Sequence, residues 1–252
     1  MPVYGASMHD PYADQHVRAD VAESYDTNHA RHFAPDELGP AMELLAELAG
    51  DGPVLEFAIG TGRVALPLIA RGLHVSGIDI SEAMVGQLRA KPGGADVPIT
   101  LGDMSTTIVG QGFSLVYLVF NTIGNLTTQD AQVDCFANAA AHLRPGGRFL
   151  IETGMPLPPG SPPLVFGLED NYVGIDEYVD PVNQIHVSHH WQDLGDRLRR
   201  VSGRFRWAWP AEFDLMARLA GLRLEDRWAN WNRSPFTGTS ERHVSVWTKP
   251  VP

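Results

Sequence analysis

Apolar positions recur along this chain in two alternating rhythms. Val54, Leu55 and Phe57 form a short apolar run of strand length, and Val64, Ala65, Leu66, Leu68 and Ile69 follow as an apolar helix. Upstream, PDELGPAMELLAELAG places Met42, Leu44, Leu45 and Leu48 on one helical stripe, with Gly50 as its stop. Downstream, HVSGIDI (74–80) reads as a strand and SEAMVGQLRA (81–90) as a helix with Ser81 as its N-cap. VPITLGD (97–103) is a short strand and FSLVYLVF (113–120) an unbroken apolar one. QDAQVDCFANAAAHL (129–143) is a helix, and RPGGRFLIET (144–153) a turn entering another strand. Strands without polar alternation, separated by helices, predict a parallel sheet covered on both faces.

The rhythm changes after Met155. PLPPGSPP predicts a crossover with no regular structure. Period-two stretches follow, HVSHHW (186–191) and RFRWAW (204–209) among them, and predict an inserted antiparallel layer. Phe205, Trp207 and Trp209 are expected on one strand face, with Arg204 and Arg206 on the other. AEFDLMARLAG (211–221) is one more helix, and LRLEDRWANW and HVSVWTKP two last strands. The expected organisation is one domain: residues 1–34 as an N-terminal lid, 35–154 as a core, 155–209 as the insertion, and 210–252 as a C-terminal helix and hairpin.

Length and composition suit that plan: 252 residues with 44% hydrophobic content suffice for one large core. The net charge of −11 repels a polyphosphate, which argues against nucleic acid as partner. The first residues lack a basic start and an apolar run, and no apolar stretch approaches the roughly 20 residues that span a bilayer. A cytoplasmic protein is expected. Cys135 is the sole cysteine and sits in a helical pattern, as a buried thiol would.

The chemistry gathers at VLEFAIGTGR. Strand, glycine turn and helix place a ligand at a helix N-terminus. Gly60, Gly62 and Ala65 satisfy the dinucleotide fingerprint, and Asp79 stands 19 residues after Gly60, close to the ribose-binding spacing. An NAD-dependent oxidoreductase is therefore one reading. Glu56 opposes it, because a pyrophosphate would face a carboxylate while a ligand carrying an ammonium would gain. S-adenosylmethionine offers that ammonium, a ribose diol for Asp79 and an adenine that Met84, Asp103 and Met104 would flank.

Taken together, LEFAIGTGR, GIDISEAM, LGDM, FSLVYLVFN and LRPGGRFLIE resemble the class I S-adenosylmethionine-dependent methyltransferases of small-molecule type, over roughly residues 50–155. The resemblance implies an α/β, Rossmann-like sheet of seven strands in the order 3-2-1-4-5-7-6, strand seven antiparallel. It implies a cofactor site formed by Tyr25, Glu56, Ala58, Gly60, Thr61, Gly62, Asp79, Ile80, Met84, Asp103, Met104 and Phe120, with S-adenosylhomocysteine as product. Ala58 stands where the family usually has glycine, and the extra methyl is expected to narrow the room beside the methionine moiety. A non-catalytic cofactor-binding module is the further alternative.

Methyl transfer from a sulfonium is an in-line displacement, so a base is needed only where the acceptor must shed a proton. Asn121, directly after the fourth strand, is a candidate hydrogen-bonding group. His186 and His190, which share a strand face with Ser188 while His189 takes the other, are candidate bases. His29 and His32 near the lid are weaker candidates, and no metal site is expected. All six tryptophans, from Trp191 to Trp247, fall in the last quarter of the chain, and an aromatic cap over the acceptor is one use for them. Arg197, Arg199 and Arg200 are expected to form a solvated edge. The expected partner is a small-molecule acceptor, with N- or O-methylation open, and a homodimer is the assembly to consider.

Overall fold

The computed structural model describes residues 19–28, 34–158 and 160–252. Two helices, α1 (Ala19–Asn28) and α2 (Pro35–Ala49), precede the core strand β1 (Val54–Phe57). Then come α3 (Ala65–Ala70), β2 (Val75–Asp79), α4 (Glu82–Arg89), β3 (Ile99–Leu101), β4 (Phe113–Leu118), α5 (Gln129–His142) and β5 (Leu143–Gly154). The anticipated caps are in place: Gly50 closes α2 at φ +55°, its N–H bonding Ala46 O, and Ser81 Oγ accepts from Met84 N at 3.2 Å to start α4.

The main sheet has seven strands in the order β10-β11-β5-β4-β1-β2-β3. Here β10 (Arg223–Trp228) and β11 (Arg242–Thr248) are the last two strands, and β11 runs antiparallel to both β5 and β10. Counted within the sheet, this is the expected 3-2-1-4-5-7-6. Every side chain of β1 and β4 is buried, as strands covered on both faces must be. One face packs Leu55, Phe57, Val116 and Phe149 against α5 and against α6 (Pro210–Leu219), where Phe136 meets Phe149 at 5.1 Å and Trp247 at 5.2 Å. The other face packs Val54, Leu115, Tyr117 and Leu150 against α2 and α3. Cys135 is fully buried in the first of these layers.

Between β5 and α6 lies a separate antiparallel sheet, β6 (Leu164–Glu169), β7 (Tyr172–Asp180), β8 (Ile185–Asp193) and β9 (Leu198–Arg206), in simple meander order. The strand expected through Trp209 stops at Arg206: Trp207 N bonds Gln184 O, and Trp209 becomes the N-cap of α6, where Pro210 fits the first turn. Arg206 is 4% exposed and donates to Gln132 of α5, Gln184 and Glu212 of α6, the last at 2.6 Å. A buried guanidinium with partners on α5, on α6 and in the turn before β8 fixes this end of the insertion to the core.

The inserted sheet has an inner and an outer face. Phe205 lies against Gly124, in the turn just after β4, and Arg199 Nη1 donates to Ser24 Oγ of α1 at 3.0 Å. Register puts Phe205 opposite His186, and Gly203 opposite Ser188, so His186, Ser188 and His190 share one face as expected, and that face is the inner one. His189 faces out, bonding Ser202 at 2.8 Å.

Gly77 of β2 has no room for a side chain. A Cβ there would sit 2.4 Å from Ile59 Cδ1 and 2.7 Å from its Cβ, because the loop after β1 packs directly on β2. Gly77→Ala is expected to destabilise the fold by about 1–3 kcal/mol in equilibrium denaturation, through overpacking.

Candidate active site

The loop after β1 is a run of left-handed backbone: Ala58 at φ +53°, Gly60 at +56° and Gly62 at +78°. Each glycine has its own reason. A Cβ on Gly62 would meet Leu88 at 2.9 Å and Leu66 at 3.0 Å, whereas one on Gly60 would reach only its own loop, 3.9 Å from Ala58 O. Position 62 is thus reserved for packing, and position 60 for conformation beside open space. Ala58 adopts a conformation that costs an L-residue about 1–2 kcal/mol. Its side chain packs against the apolar cluster under α5, so the departure from glycine is a conformational cost taken up against the core.

Asp79 ends β2 beside this loop. Its Oδ2 accepts from Gly60 N at 2.6 Å and its Oδ1 from Ser81 N at 2.8 Å. Burial raises its pKa against the lowering effect of those N–H groups. The Ile80 N–H acts on it as well, and a carboxylate's roughly four acceptor positions leave capacity for a ligand hydroxyl.

Glu56 is 3% exposed and lies opposite Tyr117 in the parallel register of β1 and β4. Tyr117 donates its hydroxyl to Glu56 Oε2 at 2.7 Å. Burial pushes the Glu56 pKa up to about 8, against the lowering effects of the Tyr117 hydrogen bond and the Arg63 charge. A third carboxylate, Glu152 of β5, accepts from Phe120 N at 2.7 Å and is also raised by burial. The Arg63 charge acts on both glutamates, and its guanidinium lies 4.6 Å over the Phe120 ring. Tyr117 and Glu152 were not anticipated. The available signals were a lone phenol in an aliphatic strand and a carboxylate near the C-terminal end of its neighbour.

Helix α1 lies across the loop. Asp26 Oδ1 accepts from Thr61 Oγ1 at 2.6 Å, and Lys91 Nζ donates to Thr61 O at 2.7 Å and pairs with Asp26. Tyr25 is pushed up to about 12 by burial, with Arg63, Asp26, Asp79 and Glu56 as its charged neighbours. The segment expected as a lid therefore brings Tyr25 to the same carboxylates as the glycine loop. His29 and His32 lie outside the described residues.

The remaining expected residues ring the C-terminal strand ends. Met84 and Met104 are buried, and Ile80 is exposed. Asp103 uses Oδ1 to accept from Ser105 N and Oγ, both at 2.7 Å. Phe120 and Asn121 are left-handed at φ +62° and +59°. Asn121 Oδ1 accepts from Gly154 N at 2.5 Å and Thr153 Oγ1 at 3.1 Å, which ties the end of β4 to the end of β5.

On the inserted sheet, His186 stacks between Tyr178 (5.4 Å, 24°) and Phe205 (5.3 Å, 20°). Burial lowers its pKa while the Asp176 charge raises it, and His190 is lowered by burial too. His190 has both nitrogens engaged, Nδ1 with the Tyr172 hydroxyl at 2.7 Å and Nε2 with Ser188 Oγ at 3.2 Å. The expected solvated arginine edge is partly structural, since Arg199 reaches α1 and Arg200 lies 6.0 Å from the Trp191 ring.

This architecture has known counterparts. A profile of the methyltransferase domain matches residues 54–147. The solved structure of the CcbJ methyltransferase from Streptomyces caelestis shares 37% identity, spans 95% of this chain and 98% of its own, and superposes with a TM-score of 0.83. The chain belongs to the class I S-adenosylmethionine-dependent methyltransferases. The cypemycin N-terminal methyltransferase of a Streptomyces species is 25% identical over 220 residues, 83% of this chain and 90% of that protein. DesVI of Streptomyces venezuelae shares the fold at a TM-score of 0.68 and 23% identity, over 92% of this chain and 98% of its own. The oxidoreductase alternative finds no support among these relatives.

In this methyltransferase Glu56 retains its proton to about pH 8 when folded and loses it near 4.5 when unfolded. The folded state binds the extra proton between those values, so its contribution to stability is lost as pH rises through that window. Glu56→Gln is expected to flatten the stability–pH slope there, read from denaturation midpoints at the two ends of the window. Lys91→Met removes a half-exposed pair and is expected to change global stability by under about 1 kcal/mol. It is expected to speed amide exchange selectively in Ala19–Asn28, and unchanged exchange there would show that α1 is held by other contacts.

Proposed function

We propose that this methyltransferase moves the methyl group of S-adenosylmethionine onto a nitrogen or oxygen of a small molecule, releasing S-adenosylhomocysteine. The observation that carries the reading is the pair of buried carboxylates, Glu56 and Asp79, beneath and beside a left-handed glycine loop. A buried carboxylate with a raised pKa gains from a nearby cation, which suits the ammonium of a methionine moiety. Asp79 suits a ribose diol, while Met84, Met104 and the second oxygen of Asp103 suit an adenine. Tyr25, Ala58, Thr61, Gly62, Ile80 and Phe120 complete the assignment.

When bound, the cofactor supplies a methyl already activated on a sulfonium, so alignment is the protein's main contribution. Asp26, Lys91 and Thr61 hold α1 over the loop and shield that end of the site from water. His186, neutral and clamped between two rings, is assigned as the group that takes a proton from the acceptor. His190, held by Tyr172 and Ser188, is the second candidate on the same face, and Asn121 positions the β4 end.

The small-molecule class rests on the acidic surface and on the relatives. Besides the cypemycin enzyme, a dTDP-3-amino-3,4,6-trideoxy-alpha-D-glucopyranose N,N-dimethyltransferase of Streptomyces venezuelae is 26% identical over 134 residues, covering 56% of its own length. A cytoplasmic site of action and a homodimeric assembly belong to the same proposal.

Methyl-labelled S-adenosylmethionine incubated with the protein and a bacterial extract tests the reading. Label is expected in a small organic product. Label confined to RNA or protein would overturn the substrate class, and cofactor binding without any transfer would favour a non-catalytic module. Asp79→Asn is expected to weaken cofactor binding about 10–100-fold in calorimetry, the loss of charge-assisted hydrogen bonds.

A further inference from the structure

Among the described residues, five buried side-chain polar atoms lack a hydrogen-bond partner, and three of them gather on or beside the inner face of the inserted sheet. They are Asp176 Oδ1, His186 Nδ1 and Trp207 Nε1. Register places Asp176 opposite Ser188 and Tyr178 opposite His186, so Asp176 shares its face with both histidines. The Asp176 charge acts on His186, His190, Tyr172 and Tyr178. Trp207 stands at the end of the same aromatic row, 6.1 Å from the Tyr178 ring. Native proteins partner nearly all such atoms, so a cluster of orphans on one layer marks a place where a ligand supplies the partners.

The orphans specify what that ligand carries. An ionised carboxylate only accepts, an indole N–H only donates, and a neutral imidazole does either. The ligand therefore brings at least one donor and one acceptor, near enough to reach both ends of a short row. The rings of Tyr178, His186, Phe205 and Trp207 present faces that attract a cation, and the nearest carboxylate attracts one as well. An anionic ligand meets repulsion from Asp176.

We infer that the inner face of the inserted sheet is the acceptor subsite, with Asp176 reading an amine and Trp207 reading a neighbouring oxygen. The methylated molecule is then an amine that carries a hydroxyl, ether or carbonyl close by, rather than a simple alcohol or acid. This rests on the methyl-transfer reading above and narrows it. It places substrate discrimination on the insertion, 20 residues and more beyond the last strand of the core that precedes it, and apart from the cofactor carboxylates.

Binding of three small probes to the full chain, with S-adenosylhomocysteine present, tests the inference by ligand-observed NMR. Phenylalaninol carries ring, amine and hydroxyl. Hydrocinnamyl alcohol lacks the amine, and hydrocinnamate lacks it too and carries a carboxylate in place of the CH2OH. Phenylalaninol is expected to bind at least about tenfold more tightly than either. Asp176→Asn is expected to abolish that preference without weakening the alcohol. Trp207→Phe is expected to weaken phenylalaninol and the alcohol alike, by about fivefold. Glu177→Gln, on the outer face of the same strand, is expected to change neither. Calorimetry with S-adenosylhomocysteine on each variant separates the two readings. Loss of cofactor binding by the parent chain would sink the methyl-transfer reading itself. Normal cofactor binding with equal affinity for the three probes, with no binding of any, or with an amine preference that survives Asp176→Asn would overturn the acceptor assignment alone.

Discussion

Tyr117 donates its hydroxyl to Glu56 Oε2 at 2.7 Å inside a sheet whose neighbouring side chains are almost all apolar. Burying a carboxylate costs stability unless it is protonated or paired, and one phenolic hydrogen bond does not offset that cost. The result is a group raised to about 8 that stays protonated in the free protein near neutral pH. Much of the site depends on it. The glycine loop folds over this position, Arg63 follows the loop, and α1 brings Tyr25 to the same charges. A chain optimised for stability alone would place an aliphatic residue at position 56.

The core strands were legible because they are the part of the chain where one physical demand dominates. Strands buried on both faces allow little polar alternation, and VLEF and FSLVYL show it. Glu56, Gly60, Gly62 and Asp79 were legible because left-handed backbone and a strand-end carboxylate leave few alternatives. Gly77 was not recognised as special, although its lack of a side chain lets Ile59 lie on β2. Its reason is a contact between segments 18 residues apart, which no local pattern carries. Tyr117 and Glu152 were missed for the same reason: their partners come from neighbouring strands through register.

The insertion was legible as antiparallel but not in extent. Its first two strands, β6 and β7, carry few alternating positions, and the alternation of Phe205, Trp207 and Trp209 runs three residues past the end of β9 at Arg206. The chain leaves the sheet at Arg206, where a buried guanidinium finds carboxylate and amide partners on the core. Histidine alternation in β8 does show which side chains share a face, and the contact of Phe205 with Gly124 shows that this face is the inner one. What it could not supply was Asp176, whose place beside them follows from pairing with β7. Helix α1 touches both the glycine loop, through Asp26 and Thr61, and the insertion, through Ser24 and Arg199, while Arg206 ties the insertion to the core from its other end.

We propose that Glu56, buried and raised to about 8, is kept for a cationic ligand. Calorimetric titration with S-adenosylmethionine, repeated at pH 7 in buffers of different ionisation enthalpy, measures the protons exchanged on binding. Release of about one proton per cofactor bound is expected, and is lost in Glu56→Gln, as the arriving ammonium draws the carboxylate into its charged form. Binding with no proton release in the parent chain would contradict it, and would return Glu56 to a structural partner of Tyr117.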